Sequence, residues 1–262
     1  MDSMTDSPEQ TEENEGSGMH FLAHLEELRW RLLKSMLSVI VMSLVAFYFA
    51  EDLVRLIKIP FGDYQLYNIQ VTGTFYAYLK IALFAGVGGA LPIIFFQLWT
   101  FISPGLYKRE KIVIIPLVIT STILFAVGAG FCFLVVLPIA FKFLMGFSGD
   151  LIENTITIGS YIDFVGLLSL AFGFGFQMPI VAFFLGKLGL ITPTFLSKGR
   201  RYAAPILLII GAIITPPDVF TQILLAAPMY VLYEVSIIVV RLTYRKKVAK
   251  AEAEAAAEMS AD

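Results

Sequence analysis

The sequence predicts an all-α integral membrane protein with six transmembrane helices, on three observations. Of its 262 residues, 58% are hydrophobic and 15% charged, whereas soluble domains average roughly 45–50% and about 25%. Apolar runs recur at 32–50, 75–101, 112–144, 162–185, 202–214 and 219–240, most of them near the ~20 residues that a helical span requires. Lys and Arg gather in alternate connections, the pattern that sets orientation in a bilayer.

Residues 1–18 carry Asp2, Asp6, Glu9, Glu12, Glu13 and Glu15 and no basic residue. They read as a disordered acidic tail, the opposite of the basic start of a signal peptide. The membrane domain is expected over 19–242. It opens with an amphipathic entry helix at 20–31, whose stripe Phe21, Leu25, Leu28 and Leu32 steps by 4, 3 and 4, one helical face lying on the cytoplasmic surface before segment one. The polar face carries Glu26, Glu27, Arg29 and Arg31. Glu27 and Arg31 stand at i,i+4, where a pair contributes a few tenths of a kcal/mol.

Segments two and three are longer than a span and contain Pro92, Pro116 and Pro138, so tilting or kinking is expected. Segment five, 13 residues at 202–214, spans only about 20 Å, short of a ~30 Å hydrocarbon core. Thr215-Pro216-Pro217-Asp218 joins it to segment six as a proline turn, with Asp218 suited to cap the next helix. The two form a short hairpin, which either thins the bilayer or enters without crossing. A cytoplasmic tail, 243–262, ends in an Ala/Glu-rich stretch expected as a solvated helix.

Fifteen Lys and Arg fall before or in the first turn of segment one (Lys34 there), between two and three, between four and five, and after six; only Arg55 and Lys58 fall in the alternate connections. Both termini are therefore expected in the cytoplasm. Lys80 and Lys142, inside apolar segments near their outer ends, can snorkel.

Enzymatic chemistry finds no apparatus. Gly146-Phe147-Ser148-Gly149 resembles an intramembrane serine protease motif, but the two histidines, His20 and His24, lie on the opposite side, leaving the serine without a base. No metal-ligand spacing or phosphate-binding loop is present, and no cofactor or nucleic-acid partner is expected. The single cysteine, Cys132, allows no disulfide within the chain. Two carboxylates stand near the membrane on the cytoplasmic side. Glu110 precedes segment three, where it caps a helix or, with Glu27, receives guanidinium groups. Gln177, Gln222 and Glu234 are polar inside apolar segments and face protein or water.

Four motifs carry a family resemblance: His24-Leu25-Glu26-Glu27-Leu28-Arg29; Ser103-Pro104-Gly105-Leu106-Tyr107 with Glu110; Phe172-Gly173-Phe174-Gly175-Phe176-Gln177-Met178-Pro179; and Thr215 to Gln222 followed by Pro228. In this order, over residues 20–241, they resemble TatC, the multi-spanning subunit of the twin-arginine (Sec-independent) protein translocase. The resemblance implies six helices in a concave, glove-like bundle with short fifth and sixth helices, in the cytoplasmic (inner) membrane. It implies binding of Arg-Arg signal peptides on folded precursors, with transport driven by the proton-motive force. The partners implied are TatA/TatB-type single-span proteins, with self-association in a receptor complex.

Position by position, Glu27 and Glu110 match the family's signal-peptide glutamates, with Arg29, Phe101 and Tyr107 in the same motifs. Gln177, Thr215 and Gln222 fall at partner-helix docking positions, and Asp218 in the functional outer loop. Gln177 departs from the pattern, since many members carry glutamate there. The competing reading from hydropathy alone is a small-solute secondary transporter, which repeat symmetry and midplane charges would support. Neither is evident.

Overall fold

The computed structural model describes residues 9–62, 64–102, 114–146, 155–215 and 218–259, with side chains from Ala23 to Arg245. It is helical almost throughout. Helix α1 (Glu9–Tyr48) is followed by a short α2 (Ala50–Ile57) and a 3-10 turn (Ile59–Phe61). Helix α3 (Gly73–Ile102) is the second long one. Helix α4 (Ile114–Phe131) runs through a π turn (Cys132–Val136) into α5 (Leu137–Gly146). Helices α6 (Ile158–Gly175) and α7 (Met178–Leu188) form the fourth segment; α8 (Pro193–Ile214) and α9 (Val219–Met259) complete the order. Strand β1 (Leu66–Tyr67) pairs in parallel with β2 (Ile156–Thr157), Leu66 opposite Ile156, a small bridge that the all-helical reading did not anticipate.

Five stretches are long and apolar enough to cross a membrane, in α1, α3, α4–α5, α6–α7 and α9. The fifth segment, in α8, falls below that measure because the first turns of the helix carry Lys198, Arg200 and Arg201, which leaves the short apolar stretch read from the sequence. Helix α1 is continuous from Glu9. The backbone is thus helical within the acidic stretch expected as a tail, and the entry helix runs straight into segment one without a turn.

Proline explains the irregularities. Pro138 has no N–H to give the carbonyl of Leu134, and its ring crowds that carbonyl. The helix widens there into the π turn. Pro179 likewise frees the carbonyl of Gly175, and the fourth segment breaks at Phe176–Gln177, where the Gln177 N–H bonds back to Phe174 at 3.0 Å. Pro179 then occupies the first turn of α7, where its missing donor costs nothing. Helix α7 ends on Gly189 at φ +82°, with Leu190 N–H on the Leu185 carbonyl at 3.0 Å, an αL cap that suits glycine.

Helix α1 packs chiefly on α3; α6 on α3 and α4; α7 and α8 on α9. Close approach of α1 and α3 depends on Gly86, where a Cβ would lie 2.6 Å from the backbone of Ser43. The end of the bundle beside α2 is sealed by Tyr161, which is 1% exposed. Its ring stacks on Phe141 at 5.3 Å and tilts against Phe61 at 4.9 Å, and its hydroxyl donates to the carbonyl of Ile57 at the end of α2. Helix α2 turns Leu53, Val54 and Ile57 toward this core and leaves Glu51 and Arg55 outside, paired at 2.7 Å.

Candidate functional site

The clearest polar cluster joins α1 to the C-terminal end of α3. Glu27 and Arg31 lie one helical turn apart, ahead of the apolar run that starts at Leu32. Arg31 donates to a single oxygen of Glu27, from Nη2 at 2.5 Å and from Nε at 2.9 Å. Its remaining Nη1 reaches across to Gln97 Oε1 on α3 at 3.3 Å. The Arg31 guanidinium holds the Glu27 carboxyl below its usual range, against the opposing effect of burial. The second carboxylate oxygen, Oε2, lies 3.6 Å from His24 Nδ1, too far for a hydrogen bond. His24 itself lies flat on Phe101, with centroids 4.3 Å apart and planes within 7°.

Two of the sequence-predicted recognition residues, Glu27 and Phe101, are thus drawn into one cluster, bridged by His24. Arg29 sits exposed on the same turn of α1. Tyr107 and Glu110 lie outside the described residues. Gln97 belongs to the cluster without having been singled out from the sequence. Its signal is an amide in the mostly apolar C-terminal half of α3.

Gln177, only 8% exposed, stands at the break between α6 and α7. Its Nε2 donates to the backbone carbonyl of Ser121 on α4 at 2.9 Å. The Ser121 hydroxyl in turn accepts the Trp99 indole N–H from α3 at 3.1 Å. Three segments therefore meet at one small buried network, which an unmatched amide could not satisfy at low cost.

At the turn of the short hairpin, Thr215 donates its hydroxyl to Gly211 at 2.9 Å. Gln222 Nε2 donates to the carbonyl of Leu208 at 2.8 Å, tying α9 back to α8. Asp218 caps α9 as its position suggested, accepting the Thr221 N–H at 2.7 Å and the Thr221 hydroxyl. Beside these groups lies an open apolar cavity of about 640 Å³, lined by Phe131, Phe176, Phe220, Ile223 and Pro228 among others.

Among the described residues, two ion pairs join segments distant in sequence. Lys80 on α3 meets Asp163 on α6 at 2.6 Å, so this lysine has a carboxylate partner on another helix. Arg200 on α8 meets Glu234 on α9 at 2.7 Å, which accounts for a carboxylate inside an apolar helix. Both partners of each pair are partly exposed, so each contributes little to stability.

Comparison with known proteins agrees with these motifs. The family model described as Sec-independent protein translocase protein (TatC) matches residues 23–228. The Sec-independent protein translocase protein TatC of Desulforapulum autotrophicum is 41% identical over 247 residues, covering 92% of this chain and 90% of that protein. That of Aquifex aeolicus is 42% identical over 235 residues, covering 87% and 98%. A crystal structure of a twin arginine translocase receptor, TatC, matches with a TM-score of 0.77 and 42% identity, over 84% of this chain and 99% of that one. By motifs, fold and relatives alike, the chain belongs to the TatC family of Sec-independent protein translocase proteins.

Proposed function

We propose that this chain is the receptor subunit of a twin-arginine translocase, binding Arg-Arg signal peptides of folded precursors and passing them across the membrane with single-span partners. The energy source is the proton-motive force. The observation that carries the reading is Glu27: a carboxylate at the membrane edge, partly exposed, braced through Arg31 by a second helix. A partly exposed carboxylate, with Oε2 not engaged by Arg31, is suited to receive a guanidinium by charge-assisted hydrogen bonds. Glu110 supplies the second carboxylate. Arg29, Phe101 and Tyr107 complete the surface. The excess of Lys and Arg on the same side supports a cytoplasmic placement of this face and of both termini in the inner membrane. A small-solute transporter has less support, since Lys80 is paired with Asp163 and the Gln177 amide is bonded to the Ser121 carbonyl.

The test is binding of labelled peptides, carrying Arg-Arg or Lys-Lys, to membrane vesicles of each orientation. Arg-Arg peptide should bind inside-out vesicles, and Lys-Lys peptide roughly tenfold more weakly because an ammonium cannot form the fork. Equal binding of both peptides, or binding only to right-side-out vesicles, would refute the reading.

Gln177, Thr215 and Gln222 serve as docking positions for a TatA/TatB-type helix, with Asp218 holding the outer turn between them. The adjoining apolar cavity, lined by Phe176 and Ile223, offers that helix a surface. A neutral amide suffices if the contact is a hydrogen bond and no proton is transferred. Gln177→Leu should therefore reduce co-purification of the single-span partner, while Gln177→Glu keeps transport largely intact. Parental transport by Gln177→Leu would make the residue structural filler.

A further inference from the structure

The receptor carboxylate is already occupied by a guanidinium from its own chain. Arg31 places Nη2 at 2.5 Å and Nε at 2.9 Å on Glu27 Oε1, using the acceptor capacity of that oxygen and leaving Oε2. This is the charge and the hydrogen-bond chemistry that a signal-peptide arginine would bring. Resting on the receptor reading above, we propose that Arg31 is an internal occupant of the Glu27 site and sets its affinity for signal peptides.

An incoming guanidinium has two routes. It can displace Arg31 from Oε1, or it can take Oε2 with Arg31 still in place. The first loses an existing charge-assisted contact. The second brings two cations onto one carboxylate, where like charges about 4 Å apart repel by about 1 kcal/mol in water and about 4 kcal/mol at an effective dielectric of 20. Either route lowers affinity. Displacement has a ready end point, because Arg31 Nη1 already rests on Gln97 Oε1 at 3.3 Å. The guanidinium can pivot onto α3 without being left unpaired.

By displacement, the route with a ready end point, the occupant subtracts the same amount from every basic ligand. It therefore lowers absolute affinity without changing the preference for Arg over Lys, and ligands that bind weakly are pushed below a useful level. A residue that merely orients Glu27 would act in the opposite sense.

The experiment measures dissociation constants of fluorescent Arg-Arg and Lys-Lys signal peptides for the full chain in detergent. The variants are Arg31→Gln, Glu27→Gln, their combination, and Lys34→Gln. Arg31→Gln should bind both peptides roughly two- to tenfold more tightly, spanning an exposed i,i+4 pair to a stronger charge-assisted one. The ratio of the two constants should not move. In the Glu27→Gln background the gain should vanish, since there is no carboxylate left to vacate. Lys34→Gln removes an equal charge on the same helix about 10 Å along the axis and should give a smaller gain. Arg31→Lys, which keeps the charge but not the two-point contact, tests the same point in a protein whose charge is unaltered. It should lie between parent and Arg31→Gln. Weaker binding by Arg31→Gln would overturn the proposal in favour of a positioning role. A gain that persists without Glu27, or one matched by Lys34→Gln, would overturn it in favour of simple charge repulsion. Failure of the receptor reading is distinct: the parent would then bind both peptides equally, or Glu27→Gln would bind as the parent does.

Discussion

Gly86→Val should detach α1 from α3. A Cβ at Gly86 would lie 2.6 Å from both Cα and N of Ser43, and backbone cannot yield as the end of a side chain can. The expected loss is about 2–3 kcal/mol, or roughly 5–10 °C in melting temperature. A direct reading uses a cysteine pair at Met42 and Gly89. The Cβ position of Gly89 is 3.8 Å from that of Met42, within the roughly 3.5–4.5 Å of a disulfide. With Cys132, the single native cysteine, replaced by alanine, the pair should oxidise in the parent and remain reduced with Gly86→Val. Equal oxidation in both would show that the helices accommodate the branched side chain. Peptide binding should fall with the contact, because Gln97 and Phe101 reach the Glu27 cluster only from α3.

Glu27→Gln and Glu110→Gln should each weaken binding of an Arg-Arg peptide by one to two decades. A hydrogen bond to a charged group is worth about 1.5–3 kcal/mol, which converts to roughly 10- to 100-fold. Glutamine preserves length and acceptor but not charge, so packing is little disturbed. For Glu27 the lost i,i+4 pair costs the fold only a few tenths of a kcal/mol. A large drop in stability with intact binding would assign that carboxylate to structure alone. For Glu110 the same outcome would favour a helix-capping role.

What the sequence disclosed follows from the range of each interaction. Spans were legible because lipid demands length and hydropathy, and both are properties of a contiguous stretch. The pairing of Glu27 with Arg31 was legible for the same reason, at one helical turn. So were the Asp218 cap and the disturbance around Pro138, although the form it takes, a π turn, depends on how the surrounding helices hold the freed carbonyl. Lys80 with Asp163, Arg200 with Glu234, and Gln97 with Arg31 join residues 83, 34 and 66 apart in sequence. No local pattern announces them. Helix α2 escaped because eight amphipathic residues carry too little hydropathy to stand out beside a span. Gln177 is the intermediate case. Its polarity marked it, but its bond to the Ser121 carbonyl needed the fold.

The dependence of α1 on a single neighbour bears on how the chain is made. Few of its residues are fully buried in protein, and a helix satisfies its own backbone in lipid. Helix α1 can therefore leave the ribosome, insert and wait as an independent unit. The Glu27 cluster cannot form at that stage, because Gln97 is synthesised 66 residues after Arg31 and Phe101 later still. On the proposed role of Glu27, competence to recognise a ligand thus arises only when α3 has entered the bilayer and docked. A nascent chain halted between the two helices would be stably inserted and yet blind to its cargo.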